Sequence, residues 1–104
     1  QQNNTQGAYQ SLIALPMHPQ IEYQLLLAQA SQQVGELSVS INAYRQLVLL
    51  QPSKGKWYLG LAIALDRNSQ FGEAVKAYRE AIALGDISPQ SRQFAQQRMA
   101  ELGD

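Results

Sequence analysis

From residue 20 onward, apolar residues recur at intervals of three and four, with polar residues between them, which is the signature of helices buried on one face. The pattern breaks into runs that predict helices over 20–33, 37–50, 56–67, 72–84 and 89–102, and an earlier run predicts a shorter helix over 8–15. No run alternates with period two, so no strand is expected. One phrase returns in three of the runs: AYQSLIAL at 8–15, AYRQLVLL at 43–50 and AYREAIAL at 77–84. Tyr9, Tyr44 and Tyr78 therefore stand at intervals of 35 and 34 residues, a period that signals stacked helical units.

One offset also pairs the intervening positions without a gap. Leu25 matches Leu59, Leu27 matches Leu61, Ala28 matches Ala62 and Ala30 matches Ala64; then Leu37 matches Phe71, Val48 matches Ile82 and Leu50 matches Leu84. Gly35, and then Asn68 with Ser69, break each unit in the middle, while Pro52 and Gly55 punctuate the junction between units. Each unit is thus two antiparallel helices joined by a tight turn. Ser88 before Pro89 is a helix start, because a serine oxygen accepts from an orphan N–H and proline fills the first turn, where its missing donor costs nothing. Pro16 and Pro19 bracket a connection that holds Met17 and His18, and residues 1–7 read as a loose end.

Composition narrows the field. With 104 residues and 45% hydrophobic content, the chain can bury one continuous core and is too short for two ordinary domains. Eight basic residues balance eight acidic ones, and no block of like charge offers a footprint for phosphate backbones, so nucleic acid is not an expected partner. Charged residues make up 15%, against roughly 25% in a typical domain, and Gln and Ser fill the difference. There is no cysteine, hence no disulfide and no indication of redox compartment. No stretch approaches the roughly 18 apolar residues needed to span a bilayer, so no direct membrane insertion is expected of this segment. The opening run at 8–15 lacks a partner helix before it, which suggests a longer parent chain.

The repeat resembles the tetratricopeptide family over nearly the whole chain. Leu27, Ala28, Gly35, Leu37, Tyr44 and Pro52 hold the family's places in the first full repeat, and Tyr58, Leu61, Ala62, Phe71, Ala74, Tyr78 and Ala81 hold them in the second. Ser40 and Leu47 stand where the family favours Ala, Ser69 where it favours Gly, and Asp86 where it closes with Pro. The resemblance implies an all-α fold: antiparallel helix-turn-helix repeats stacked as a short right-handed superhelix with a C-terminal capping helix. The expected organisation is one domain over 1–104, with 8–15 the second helix of a preceding partial repeat, repeats at 20–52 and 55–86, and the cap at 89–102. A narrower likeness, carried by Trp57, Gly60, Ser88, Pro89, Arg92, Phe94 and Arg98, is to the C-terminal repeat region of MshN-type proteins. These serve biogenesis of the mannose-sensitive haemagglutinin, a type IV pilus of Gram-negative bacteria. That likeness implies a periplasmic domain of an inner-membrane-anchored protein and a pilus-assembly component as partner; the composition alone suits the cytoplasm equally.

Stacked two-helix units line a concave surface with their first helices, where a peptide segment can lie. At 100° per residue, Glu22, Leu25, Gln29, Gln32 and Gln33 share one sector of the helix over 20–33, and Lys56, Leu59, Ile63, Asp66 and Arg67 share the equivalent sector one period on. These ten residues are the candidate partner-binding groove. Leu25, Leu59 and Ile63 would supply apolar burial, and the Gln amides and the charges would set register. Some members of the family grip a C-terminal carboxylate with Lys and Asn, but Leu25, Gln29, Leu59 and Ile63 occupy those places here, so that function is not carried over.

Other conspicuous residues read as architecture. Tyr23 and Trp57 recur at one place and share a face with Leu27, Ala30, Leu61 and Ala64, which should meet the preceding unit. Tyr9, Tyr44 and Tyr78 should each pack on the first helix of their own unit. Phe94, Ala95, Met99 and Leu102 form the packing face of the cap, with Arg92, Gln96 and Gln97 outside it. Catalysis is not expected: His18 is the single histidine, no phosphate-loop, dinucleotide or nucleophile-elbow motif occurs, Glu22, Glu73 and Glu80 form no paired-carboxylate site, and Asp66 beside Arg67 reads as a helix-end pair. No metal and no cofactor are implied. A rival expectation starts from the incomplete edge at 8–15, where Leu12, Ile13 and Leu15 could recruit another copy and make the protein a self-associating scaffold, such as a homodimer.

Overall fold

The computed structural model describes residues 20–103 of the protein. These residues form five helices and no strand: α1 (Gln20–Gln33), α2 (Leu37–Leu50), α3 (Gly55–Arg67), α4 (Phe71–Leu84) and α5 (Pro89–Glu101). The fold is all-α, and the packing is between consecutive helices, α1 on α2, α2 on α3, α3 on α4 and α4 on α5. The helix expected over 8–15, the connection with Met17 and His18, and the loose end at 1–7 lie outside the described residues.

Sequence periodicity and observed helices agree to within one residue at each end. Three ends differ, each by one position: α3 starts at Gly55, α4 at Phe71, and α5 stops at Glu101. Gly55, expected to punctuate the junction, belongs to the helix because its N–H donates to Asp86 Oδ1 at 2.9 Å, a carboxylate 31 residues away. Asp86 thereby supplies from a distance the partner that the first turn of a helix otherwise lacks.

The two turns inside the units are built alike. After α1, Gly35 at φ +85° donates to Gln32 O and Glu36 to Ser31 O; after α3, Ser69 at φ +63° donates to Asp66 O and Gln70 to Leu65 O. Both are Schellman closures, in which a left-handed residue lets two orphan carbonyls find donors. The start of α5 follows the sequence expectation: Ser88 Oγ accepts from Ser91 N at 3.1 Å, with Pro89 in the first turn.

The core runs along the stack. Ala28, Ile41, Tyr44, Leu47, Trp57, Leu61, Ala62, Ala64, Leu65, Ala74 and Tyr78 are all buried in one cluster. Trp57 is buried as expected, and its indole Nε1 donates to Gln51 Oε1 at 2.8 Å, so its one polar atom has a partner. Ser31 and Ser40 are also buried, and both hydroxyls donate to Ala28 O, at 3.1 and 3.0 Å. A serine at position 40 is thus satisfied where a small apolar residue was expected. At the α2–α3 joint, Gly60 lies under the Tyr44 ring, where a Cβ would come within 2.2 Å of a ring carbon. Burial pushes the Tyr44 hydroxyl pKa up.

Candidate interaction surface

The ten residues expected to form a groove divide in the structure into four groups. Gln29, Gln32, Gln33 and Arg67 surround one open hollow of about 410 Å³, formed by the C-terminal ends of α1 and α3. The ladder Leu59, Ile63, Arg67 has the four-residue spacing that aligns side chains on one helix face, as does the pair Leu25 and Gln29. Leu25, Leu59 and Ile63 are half-buried and pack against the core, so each offers part of its surface outward and holds the stack with the rest. Glu22 and Lys56 are exposed and do not line the hollow; Lys56 instead sets its ammonium 5.4 Å from the Trp57 ring centroid.

Asp66 departs most from expectation. The sequence assigns it to the groove and pairs it with Arg67 at the helix end, but its carboxylate is turned to α4 and α5. Arg98 donates to it twice, from Nε to Oδ2 and from Nη2 to Oδ1, each at 2.8 Å, and the Tyr78 hydroxyl donates to Oδ2 at 2.9 Å. The hydrogen bonds from Arg98 hold the Asp66 carboxyl below its usual range, against the opposing effect of burial, and Tyr78 adds to the lowering. Burial and then the Asp66 carboxylate push the Tyr78 hydroxyl above its ordinary range. Arg98 also reaches Glu101 Oε1 at 2.7 Å. This cluster fastens three helices together, and sequence reasoning missed it because Arg98 and Asp66 are 32 residues apart and share no helix.

The same displacement leaves the hollow with Arg67 as its one ionised lining residue. Three carboxamides beside a guanidinium present both donors and acceptors, which suits the amide groups of an extended chain. Among the described residues, no group of three or more His, Cys, Asp or Glu comes together to hold a metal ion, and no helix is long and apolar enough to cross a membrane. A second hollow, of about 470 Å³, lies on the other side of α3, with Arg45, Tyr58, Leu65, Glu73, Lys76 and Glu80 in its lining. It arises from the packing of α2, α3 and α4 on one another, which no single-helix periodicity reveals. Compared with known proteins, the chain matches no family model and no curated protein.

Proposed function

We propose that the protein is a non-catalytic interaction module of tetratricopeptide type, which holds an extended or helical segment of a partner protein along the face shared by α1 and α3. The observation that carries this reading is the hollow bounded by Gln29, Gln32, Gln33 and Arg67, in line with the half-buried Leu25, Leu59 and Ile63. Apolar side chains of the segment would cover the outward parts of Leu25, Leu59 and Ile63, and its backbone amides would meet the glutamines, which fix register. The likeness to MshN-type repeats makes a pilus-assembly component in a bacterial periplasm the first partner to try.

The test compares capture of such components from an envelope extract by the wild-type protein and by a Gln29→Ala, Gln32→Ala, Arg67→Glu variant. These positions avoid the core, which changes at Leu25, Leu59 or Ile63 would disturb. A partner retained by the wild type and lost by the variant, with both melting at one temperature, supports the reading. Equal retention places the binding surface elsewhere.

A further inference from the structure

The hollow at the C-terminal ends of α1 and α3 holds a charge that the rest of the fold leaves unanswered. Arg67 is exposed, and among the described residues its guanidinium makes no ion pair and no hydrogen bond. Asp66, its neighbour in sequence, is engaged by Arg98 and Tyr78. The remaining lining residues, Gln29, Gln32 and Gln33, carry dipoles and no charge. Gln33 stands one 34-residue period before Arg67, so two rows correspond: Leu25, Gln29, Gln33 on α1 and Leu59, Ile63, Arg67 on α3. Each row begins apolar, and the second ends on the cation.

We propose that the segment held on this face is extended and carries an internal acidic side chain, Asp or Glu, whose carboxylate pairs with Arg67 while neighbouring apolar side chains cover Ile63 and Leu59; this rests on the reading of the face as a partner-binding surface. Steps of four along α3 are about 6 Å, and alternate residues of an extended chain are about 6.6 Å apart. A segment laid along α3 therefore meets Leu59, Ile63 and Arg67 with the pattern apolar-x-apolar-x-acidic, in either direction. The three carboxamides call for the extended form, because a helix spends its backbone amides internally and offers them none. A carboxylate suits the site better than a phosphate: one guanidinium balances one negative charge and matches its two oxygens, whereas a second charge would find no cation in the lining. The partial negative charge at the ends of α1 and α3 attracts the guanidinium but occupies none of its N–H groups, since Gln32 O, Ser31 O, Asp66 O and Leu65 O accept from the turn donors at Gly35, Glu36, Ser69 and Gln70.

Fluorescence anisotropy of the whole chain with end-capped peptides tests this. The peptides share a Leu-Ser-Leu-Ser-X core and differ only in Glu, Gln or Lys at X. The Glu peptide should bind roughly threefold to tenfold more tightly than the Gln peptide at low salt, the Lys peptide most weakly, and the preference should shrink at high salt. Arg67→Gln should make the Glu and Gln peptides bind alike, and Arg67→Glu should turn the preference to Lys, a reversal that loss of folding cannot produce. Equal binding of the Glu and Gln peptides by the wild type overturns the acidic preference alone, and the binding face stands if Gln29→Ala with Gln32→Ala weakens both. A preference for Glu that survives Arg67→Gln overturns the assignment to Arg67. Tighter binding of a phosphoserine peptide, or of one ending in a free carboxylate at X, overturns the internal acidic side chain. No binding of any peptide up to ~1 mM overturns the partner-binding reading together with this one.

Discussion

Gly35 and Ser69 occupy the same turn one period apart, both with positive φ, +85° and +63°. Glycine is indifferent to that region, whereas an L-residue there meets its own carbonyl at a cost of roughly 1–2 kcal/mol, and part of the difference returns as the greater unfolded-chain freedom of glycine. Ser69→Gly should therefore raise stability by up to about 1 kcal/mol, measurable by urea denaturation. Gly60 gives the opposite sign. Its missing Cβ is where the Tyr44 ring lies, so Gly60→Ala should cost about 1–3 kcal/mol although alanine is the better helix former, because the joint must open to admit a methyl group. A Gly60→Ala protein as stable as the wild type would show that α2 and α3 slide apart freely. Turn positions such as 35 and 69 are visible in the sequence because breakers interrupt a periodic run. Gly60 carries no such signal, since its reason is a ring sixteen residues away that reaches it only through packing.

At the scale of elements, α3 and α5 show how unequal the helices are. α3 buries six of its residues, among them Trp57 at 5% exposure, and Trp57→Ala should cost about 3–5 kcal/mol, read from the shift in denaturation midpoint. In α5 only Ala95 is buried; Met99 is half-buried, and Phe94, expected in the packing face, is 42% exposed and meets Tyr78 edge-on at 6.0 Å. The cap is accordingly held by Asp66, whose oxygens accept from both Arg98 and Tyr78. Asp66→Ala leaves the buried Tyr78 hydroxyl without its acceptor and should cost about 1–3 kcal/mol, with amide exchange accelerating first in α5. The same carboxylate sets an acid limit. Its native pKa is lowered, so the unfolded chain takes up the proton first; the contribution is complete above the ordinary aspartate value of about 3.9 and is lost as pH falls through the native value. Thermal melts between about pH 5 and 2 should steepen in the wild type relative to Asp66→Asn. By contrast the Arg45–Glu73 bridge is about half exposed on both sides, and Arg45→Ala should change stability by less than about 1 kcal/mol in the same assay.

The described residues form a stack built by adding each helix to the one before it. Such a stack has two broad flanks, and the two hollows lie on opposite sides of α3. The helix periods, the 34-residue repeat, the turns and the serine cap follow from the sequence by itself, because each depends on neighbours within a few residues or on a hydrophobic face that must be covered. Part of the candidate site was legible on the same ground: Gln33 and Arg67 stand one period apart and line one hollow, and Gln29 joins them from one helical turn before Gln33 on α1, with Gln32 next to Gln33 in the chain. Packing alone decided the rest. It drew Asp66 out of that surface to Arg98 and Tyr78, set half of Leu25, Leu59 and Ile63 into the core, gave Gly55 its partner in Asp86, and opened the second hollow beside Arg45 and Tyr58. Each of those outcomes depends on the distance and angle between helices distant in sequence, quantities fixed by how side chains interlock rather than by the order in which they are strung.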